Sequence, residues 1–285
     1  MQKIWVCGAR GQIGQAVNDV VDKLEFEMLD TDVDDLDATD TDEVLRFGEM
    51  NRPDIIINCS GMTDISSCEE NPSQAFKVNA LGARNLAIVA AKMQAKMVQL
   101  STDDVFDGKS TEPYTEFDIT NPGTVYGKSK LAGENYVKEF TTKHFIVRST
   151  WVYGKGQNFI NGFLKKVDAG EQLSIASDQF GSPTSANELA RFLLHLVHTS
   201  EYGTYHATNK GVCSRYAFAQ EILKMTGKTA SMQPVPTVMS DFTKVRPAYA
   251  VLDNFIMSMV PIYDFPDWQD SLREYLEERG LYHAE

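Results

Sequence analysis

The stretch Ile4-Trp5-Val6-Cys7-Gly8-Ala9-Arg10-Gly11-Gln12-Ile13-Gly14 decides the fold. Its apolar start reads as a buried strand. Gly8, Gly11 and Gly14 then make a Gly-x-x-Gly-x-x-Gly turn, and a helical pattern runs on to about Leu24. Glycine permits the tight turn, lets backbone approach a pyrophosphate and lets the helix pack on the strand. The helix N-terminus adds amide donors and partial positive charge. The turn, with Arg10, Gln12 and Ile13 inside it, therefore reads as a dinucleotide site. Asp32 lies 18 residues past Gly14, near the end of a second strand over Phe26–Leu29. A carboxylate there accepts hydrogen bonds from an adenosine ribose, and Asp30 in the same acidic run is the alternative. Acid at this point leans toward NADH, whereas Arg10 offers a partner to a 2′-phosphate, so NADH and NADPH both stay open.

Outward from the turn, short apolar runs alternate with helical patterns. Strands are expected over Ile55–Cys59, Met97–Leu100 and Phe145–Val147. Helices are expected over Thr41–Met50, Pro72–Lys92 and Tyr126–Phe140. This alternation means a parallel sheet covered on both faces, and right-handed crossovers make it an α/β, Rossmann-like, doubly wound fold. After about Trp151 the pattern loosens into helices over Phe159–Ala169, Ser185–His198, Ser214–Met225 and Asp267–Arg279. A short strand over Gly203–Ala207 and a loop or extended segment over Gln233–Pro236 lie between them. The expected division is a dinucleotide domain over 1–150 and a smaller α/β lobe, mainly for substrate, over 151–285. Some segments of the second part are expected to return to the first. Ligand belongs beyond the carboxyl ends of the strands.

The 285 residues are 42% apolar and 24% charged, an ordinary globular composition. A formal net charge of −13 suits neither nucleic acid nor an anionic membrane. Cys7, Cys59, Cys68 and Cys213 have no metal-ligand spacing and no disulfide density, so no metal site is expected. A reducing cytoplasm is the expected location. No apolar run approaches the ~18 residues of a membrane span.

Tyr126 and Lys130 are four residues apart and share one helix face. An ammonium near a phenol stabilises the phenolate. This prepares a tyrosine to exchange a proton with an alcohol while a nicotinamide exchanges hydride. Ser101-Thr102 follow a buried strand 24 residues before Tyr126, where the Thr102 hydroxyl would orient a carbonyl oxygen.

With these go further blocks in order. They are Asn58 through Thr63, Val78-Asn79-Ala80, Ser101-Thr102-Asp103, and Tyr126-Gly127 with Lys130 through Glu134. Arg148, Trp151-Val152-Tyr153-Gly154, Asn158-Phe159, Asp178 through Gly181, and Arg246-Pro247 follow. Together they resemble the extended short-chain dehydrogenase/reductase family, and within it the dTDP-4-dehydrorhamnose reductases, along nearly the whole chain. The resemblance implies hydride transfer from NADPH or NADH to the 4-keto carbon of a dTDP-linked 6-deoxy sugar, in dTDP-L-rhamnose and polysaccharide biosynthesis. Thr102, Tyr126 and Lys130 would be catalytic. Asp37, Cys59, Ser60, Gly61, Asn79 and Ser101 would join the glycine turn around the cofactor. Thr63, Asp103, Asp104 and Trp151 would meet the sugar, and a homodimer is compatible with the family. The diphosphate needs a cation against the acidic total. Arg246 is the leading candidate because a guanidinium grips phosphate bidentately, while Arg148 reads as structural.

Three positions depart from the family pattern: Asp104 where tyrosine is usual, Ser66 where aspartate is common, and Ala250 where serine is frequent. Thr102-Asp103-Asp104 is similar to the Thr-Asp-Glu of sugar-nucleotide 4,6-dehydratases. Another nucleotide-sugar reductase, dehydratase or epimerase therefore stands as the alternative. So does a non-catalytic nucleotide-sugar-binding subunit, which would not need the intact Thr102, Tyr126 and Lys130.

Overall fold

A computed structural model of the chain describes residues 1–239 and 247–283. Five parallel strands, β1 (Gln2–Cys7), β2 (Phe26–Thr31), β3 (Ile55–Asn58), β4 (Lys96–Thr102) and β5 (His144–Ser149), are joined by a sixth, Gly203–His206. Their lateral order is Gly203–His206, β5, β4, β3, β1, β2. The direction of winding reverses between β1 and β3, which opens a crevice at the strands' carboxyl ends.

Side chains alternate between the two faces of each strand. Ile4, Val6, Ile55, Ile57, Val98 and Leu100 pack toward helix α1 (Gln12–Val20) and the Ala186–Val197 helix. Trp5, Cys7, Ile56, Met97 and Ile146 pack the other way, with Val44 of α2 (Thr41–Asn51) and with Leu86, Ala90 and Val137. Both faces are thus dry, the condition under which a parallel sheet is stable.

The expected single helix over Pro72–Lys92 is in fact three pieces: Pro72–Phe76, a π-helical turn over Lys77–Leu81, and Gly82–Met93. Such wide turns mark places where a helix must re-aim a side chain, here Asn79. The segment read as loop or extended at Gln233–Pro236 contributes a strand, Met232–Val235, parallel to Leu173–Ala176. Ala186–Val197 and Gly203–His206 belong to the layers of the main sheet. A separate core is built on Tyr153, Phe163, Leu173, Ile175, Phe218, Trp268 and Leu272. Among the described residues no helix is long and apolar enough to cross a membrane.

Candidate active site

A cavity of about 500 Å³ opens at the carboxyl ends of β1, β3, β4 and β5. A larger groove of about 980 Å³ beside Pro72–Leu81 carries none of the site residues expected from sequence. The β1 edge of the cavity is the glycine turn. Gly8 has φ +80°, and a Cβ there would lie 2.6 Å from the Ser60 nitrogen, so only glycine fits. Gly8 and Gly14 form the body of the turn; Gly11, Gln12 and Ile13 face the cavity. No side chain caps α1, so its first amides remain donors for an anion. These features fit a dinucleotide pyrophosphate.

Asp32 does not line the cavity. Its carboxylate accepts the Arg10 amide at 2.9 Å and the Val33 amide at 2.9 Å, tying the turn to the end of β2. The Arg10 guanidinium is exposed and bridges Asp34 and Asp35, each at 2.7 Å. Asp37 also lies off the cavity wall, where it accepts the Thr39 amide just ahead of α2. Any contact of Asp37 with a cofactor would lie beyond this cavity.

The β3 edge is held by buried polar groups. The Asn58 amide donates to Gln99 at 2.8 Å, and its oxygen accepts the Ser60 amide and hydroxyl at 3.0 and 2.6 Å. Cys59, Ser60, Gly61 and Thr63 then line the cavity. Asn79 is 2% exposed and stands behind them. Its side chain accepts from the Met62 amide at 2.8 Å, and donates to the Met62 carbonyl at 2.9 Å and to Ser129 Oγ at 2.8 Å. Ser129 in turn donates to the Tyr126 carbonyl at 2.8 Å. The π-helical turn therefore fastens the β3 loop to the helix that carries Tyr126.

Thr102, Asp103, Tyr126 and Lys130 share the centre of the cavity wall. Thr102 ends β4, where its hydroxyl accepts the Asp104 amide at 3.2 Å and donates to Asp103 Oδ1 at 3.0 Å. Tyr126 and Lys130 lie one turn apart on the Val125–Phe140 helix, which Thr124 caps by accepting the Gly127 amide at 2.9 Å. Burial pushes the Lys130 ammonium down to about 8, against the opposing pull of Glu134. Glu134 is fully buried. Burial would raise its carboxyl, but Arg148, donating at 2.9 and 2.8 Å, and Ser101, donating at 2.5 Å, together hold it below the usual range. Ser101 thus spends its proton on Glu134, and Arg148 is structural.

Asp104 departs from its expected place. It is 1% exposed and off the cavity wall. Its carbonyl lies so close to Gly127 that any Cβ on residue 127 would collide with it. The 3₁₀ turn Asp103–Val105 sends Asp103 toward the cavity and Asp104 behind it. Arg246 lies outside the described residues.

The remaining wall comes mainly from the second half of the chain: Ser149 at the end of β5 and Trp151 just past it, then Asn158 and Phe159, and Arg215 and Phe218 from the Arg215–Thr226 helix. Of these, sequence reasoning placed only Trp151 in the site. Asn158 and Phe159 were visible as a block without a role. Arg215 had no signal at all, since an arginine at a helix start looks like surface. Among the described residues no cluster of three or more His, Cys, Asp or Glu is arranged to hold a metal.

Comparison with known proteins agrees with this geometry. The spore coat polysaccharide biosynthesis protein SpsK of Bacillus subtilis is 35% identical over 281 residues, covering 98% of this chain and 99% of that protein. A crystal structure of a dTDP-4-dehydrorhamnose reductase from Clostridium acetobutylicum superposes with a TM-score of 0.95 at 40% identity, covering 98% of this chain and all of the other. A second, from Bacillus anthracis in complex with NADP, gives 0.93 at 35% identity, covering 98% of this chain and 99% of that one. The pattern of the RmlD substrate binding domain runs through residues 1–280, across the glycine turn, the Tyr126 helix and the second-half wall alike, and the chain belongs to that family.

Proposed function

We propose that this protein is an oxidoreductase that uses NADPH or NADH to reduce the 4-keto group of a dTDP-linked 6-deoxy sugar, as in dTDP-L-rhamnose formation. One observation carries the reading. Thr102, Tyr126 and Lys130 line the same cavity as Gly11, Gln12 and Ile13 of the glycine turn. Its relatives include dTDP-4-dehydrorhamnose reductases and a dTDP-4-keto-6-deoxy-D-glucose reductase, which supports the substrate class. When bound, the nicotinamide supplies hydride. The chain's own part is to present a proton and hold the ketone. Tyr126 gives its phenolic proton to the oxygen that becomes the alcohol. The phenolate left behind is stabilised by the Lys130 ammonium one turn away. Thr102 has a single hydroxyl proton, and it points at Asp103. To polarise the ketone it must turn that proton from Asp103 to the substrate, so Asp103 is its resting acceptor until the ketone arrives.

The buried position of Asp104 favours the reductase over a dehydratase, which would need two acids at the sugar. The same reading places the enzyme in the cytoplasm, with its cysteines as thiols, and allows a homodimer, which sedimentation would show. The test is consumption of NADPH or NADH with dTDP-4-dehydrorhamnose. Oxidation of either supports the proposal; folded, nucleotide-binding protein that oxidises neither would sink it. Formation of a 4-keto-6-deoxy product from dTDP-glucose, without net cofactor turnover, would favour the dehydratase instead.

A further inference from the structure

Only two basic side chains among the described residues line the cavity: Lys130 and Arg215. Lys130 belongs to the tyrosine. Arg215 is the first residue of its helix and is 4% exposed, an uncommon burial for a guanidinium. It lies 3.4 Å above the Trp151 ring and 4.8 Å from the centre of the Phe159 ring, both of them wall residues. Its amide donates to the Gln179 carbonyl at 3.0 Å, which fixes the backbone from which the side chain projects.

The other side of Trp151 is blocked. A Cβ on Gly181 would sit 2.6 to 2.9 Å from three atoms of the indole, so that backbone lies flat against the ring. Two groups this close to the ring cannot occupy the same face. The indole is therefore held between Gly181 and the Arg215 guanidinium. Trp151 also has φ +46°, a left-handed conformation that a bulky side chain adopts only when its surroundings impose it. A guanidinium carbon this close to the centre of the indole can stack on it and still present N–H donors beyond its rim. That is the geometry for gripping an oxyanion while the aromatic face balances the charge.

We infer that Arg215 is the cation that receives the diphosphate of the nucleotide sugar, on the wall opposite the glycine turn. This rests on the nucleotide-sugar reading above. The lateral order supports it: the glycine turn ends β1, Thr102 ends β4, and Trp151 follows β5. A substrate whose ketone lies at Thr102 and Tyr126, with its cofactor toward β1, extends its charged part toward Trp151 and Arg215. With a net charge of −13 on the chain, a buried cation at that end is what lets a dianion enter.

The experiment is calorimetric binding of dTDP and of thymidine to the full chain saturated with NADPH. Arg215→Met should weaken dTDP by roughly 10- to 100-fold, the scale of a lost bidentate charge-assisted pair, and leave thymidine nearly unchanged. Arg215→Gln keeps a planar amide over Trp151 without the charge. It should lower the dTDP-to-thymidine affinity ratio in the same direction, and it serves if the Met variant does not fold. An unchanged ratio in the folded variants, whether both ligands weaken equally or neither does, would show that Arg215 only braces Trp151 and would overturn the assignment. Wild-type protein that binds NADPH but not dTDP would overturn the nucleotide-sugar reading itself, and this inference with it.

Discussion

On the glycine-turn side of the cavity, the wall comes from residues at or just past the ends of parallel strands β1, β3 and β4, with Tyr126 and Lys130 on the Val125–Phe140 helix that packs beside them. On the opposite side the wall is assembled from chain after β5 and from helix starts, held by two-residue strands such as Val152–Tyr153 and Phe180–Gly181. The first side is fixed by backbone ladders and buried hydrogen bonds: Asn58 to Gln99, Asn79 to Met62, Glu134 to Arg148. The second is fixed by aromatic packing around Trp151, Phe159 and Phe218. A side chain at a strand end has its direction set locally, so it suits proton transfer, where small misplacements cost rate. A wall set by packing can be altered residue by residue, which suits the recognition of one sugar nucleotide among several.

Breaking the buried polar set on the first side should produce the largest effect. Glu134→Ala leaves the Arg148 guanidinium, 3% exposed, without its carboxylate. Removing one member of such a pair costs about 3–5 kcal/mol. Urea unfolding should register that loss, and a change of less than about 1 kcal/mol would mean that the β4–helix junction does not depend on the pair. Tyr126→Phe should lower turnover by roughly 100-fold or more, while NADPH binding by fluorescence titration holds. Near-normal turnover would remove the phenol from the chemistry and leave the first side with a binding role alone.

Lys130 gives a pH test of the same side. Burial lowers its pKa to about 8 from 10.5. The ammonium that supports the phenolate is therefore lost as pH rises through about 8, and kcat/KM should fall there. The fold should not fall with it. Between about 8 and 10.5 the unfolded chain binds the extra proton, so this group's contribution to stability is largest above 10.5 and disappears as pH drops through 8. Lys130→Arg stays charged throughout and should move the alkaline limb of the rate profile upward, even if its height drops. A limb left at the same pH would assign it to another group.

The contrast between the two sides also explains what could be read from the sequence. Glycines at strand exits, the four-residue spacing of Tyr126 and Lys130, and Thr102 after a buried run are local patterns, and local patterns set strand ends and helix faces. Five of the six strands of the layer follow from them, while the sixth, Gly203–His206, lies in the stretch that reads as the second lobe. Asn79 was visible, but the π-helical turn that aims it was not, because helical periodicity hides a one-residue widening. Phe180–Gly181 is legible only as part of a family block, and Arg215 carries no pattern. Two-residue strands have no periodicity, and Arg215 reaches the cavity only through the packing of Trp151 and Phe159. Sequence also overvalued Asp104. It marks a departure from the family pattern beside Thr102, but adjacency in sequence is not adjacency in the site.

That last point can be tested with the smallest expected effect. Thr102 hands its backbone directly into a 3₁₀ turn, so consecutive residues leave in different directions: Asp103 to the cavity, Asp104 to the interior beside Gly127. A residue that is 1% exposed and off the wall cannot choose between sugars by contact. Asp104→Asn is nearly isosteric and should change kcat/KM for a panel of dTDP-sugars by no more than about twofold, uniformly across the panel, because only interactions that differ between substrates discriminate them. Thermal stability should register the substitution more clearly than selectivity does, since burial makes the charge costly to alter. A shift of tenfold or more for one sugar over another, about 1.4 kcal/mol, would return Asp104 to the sugar pocket. It would then follow that the turn after β4 rearranges when substrate binds, and that the first side of the cavity is less fixed than its ladders suggest.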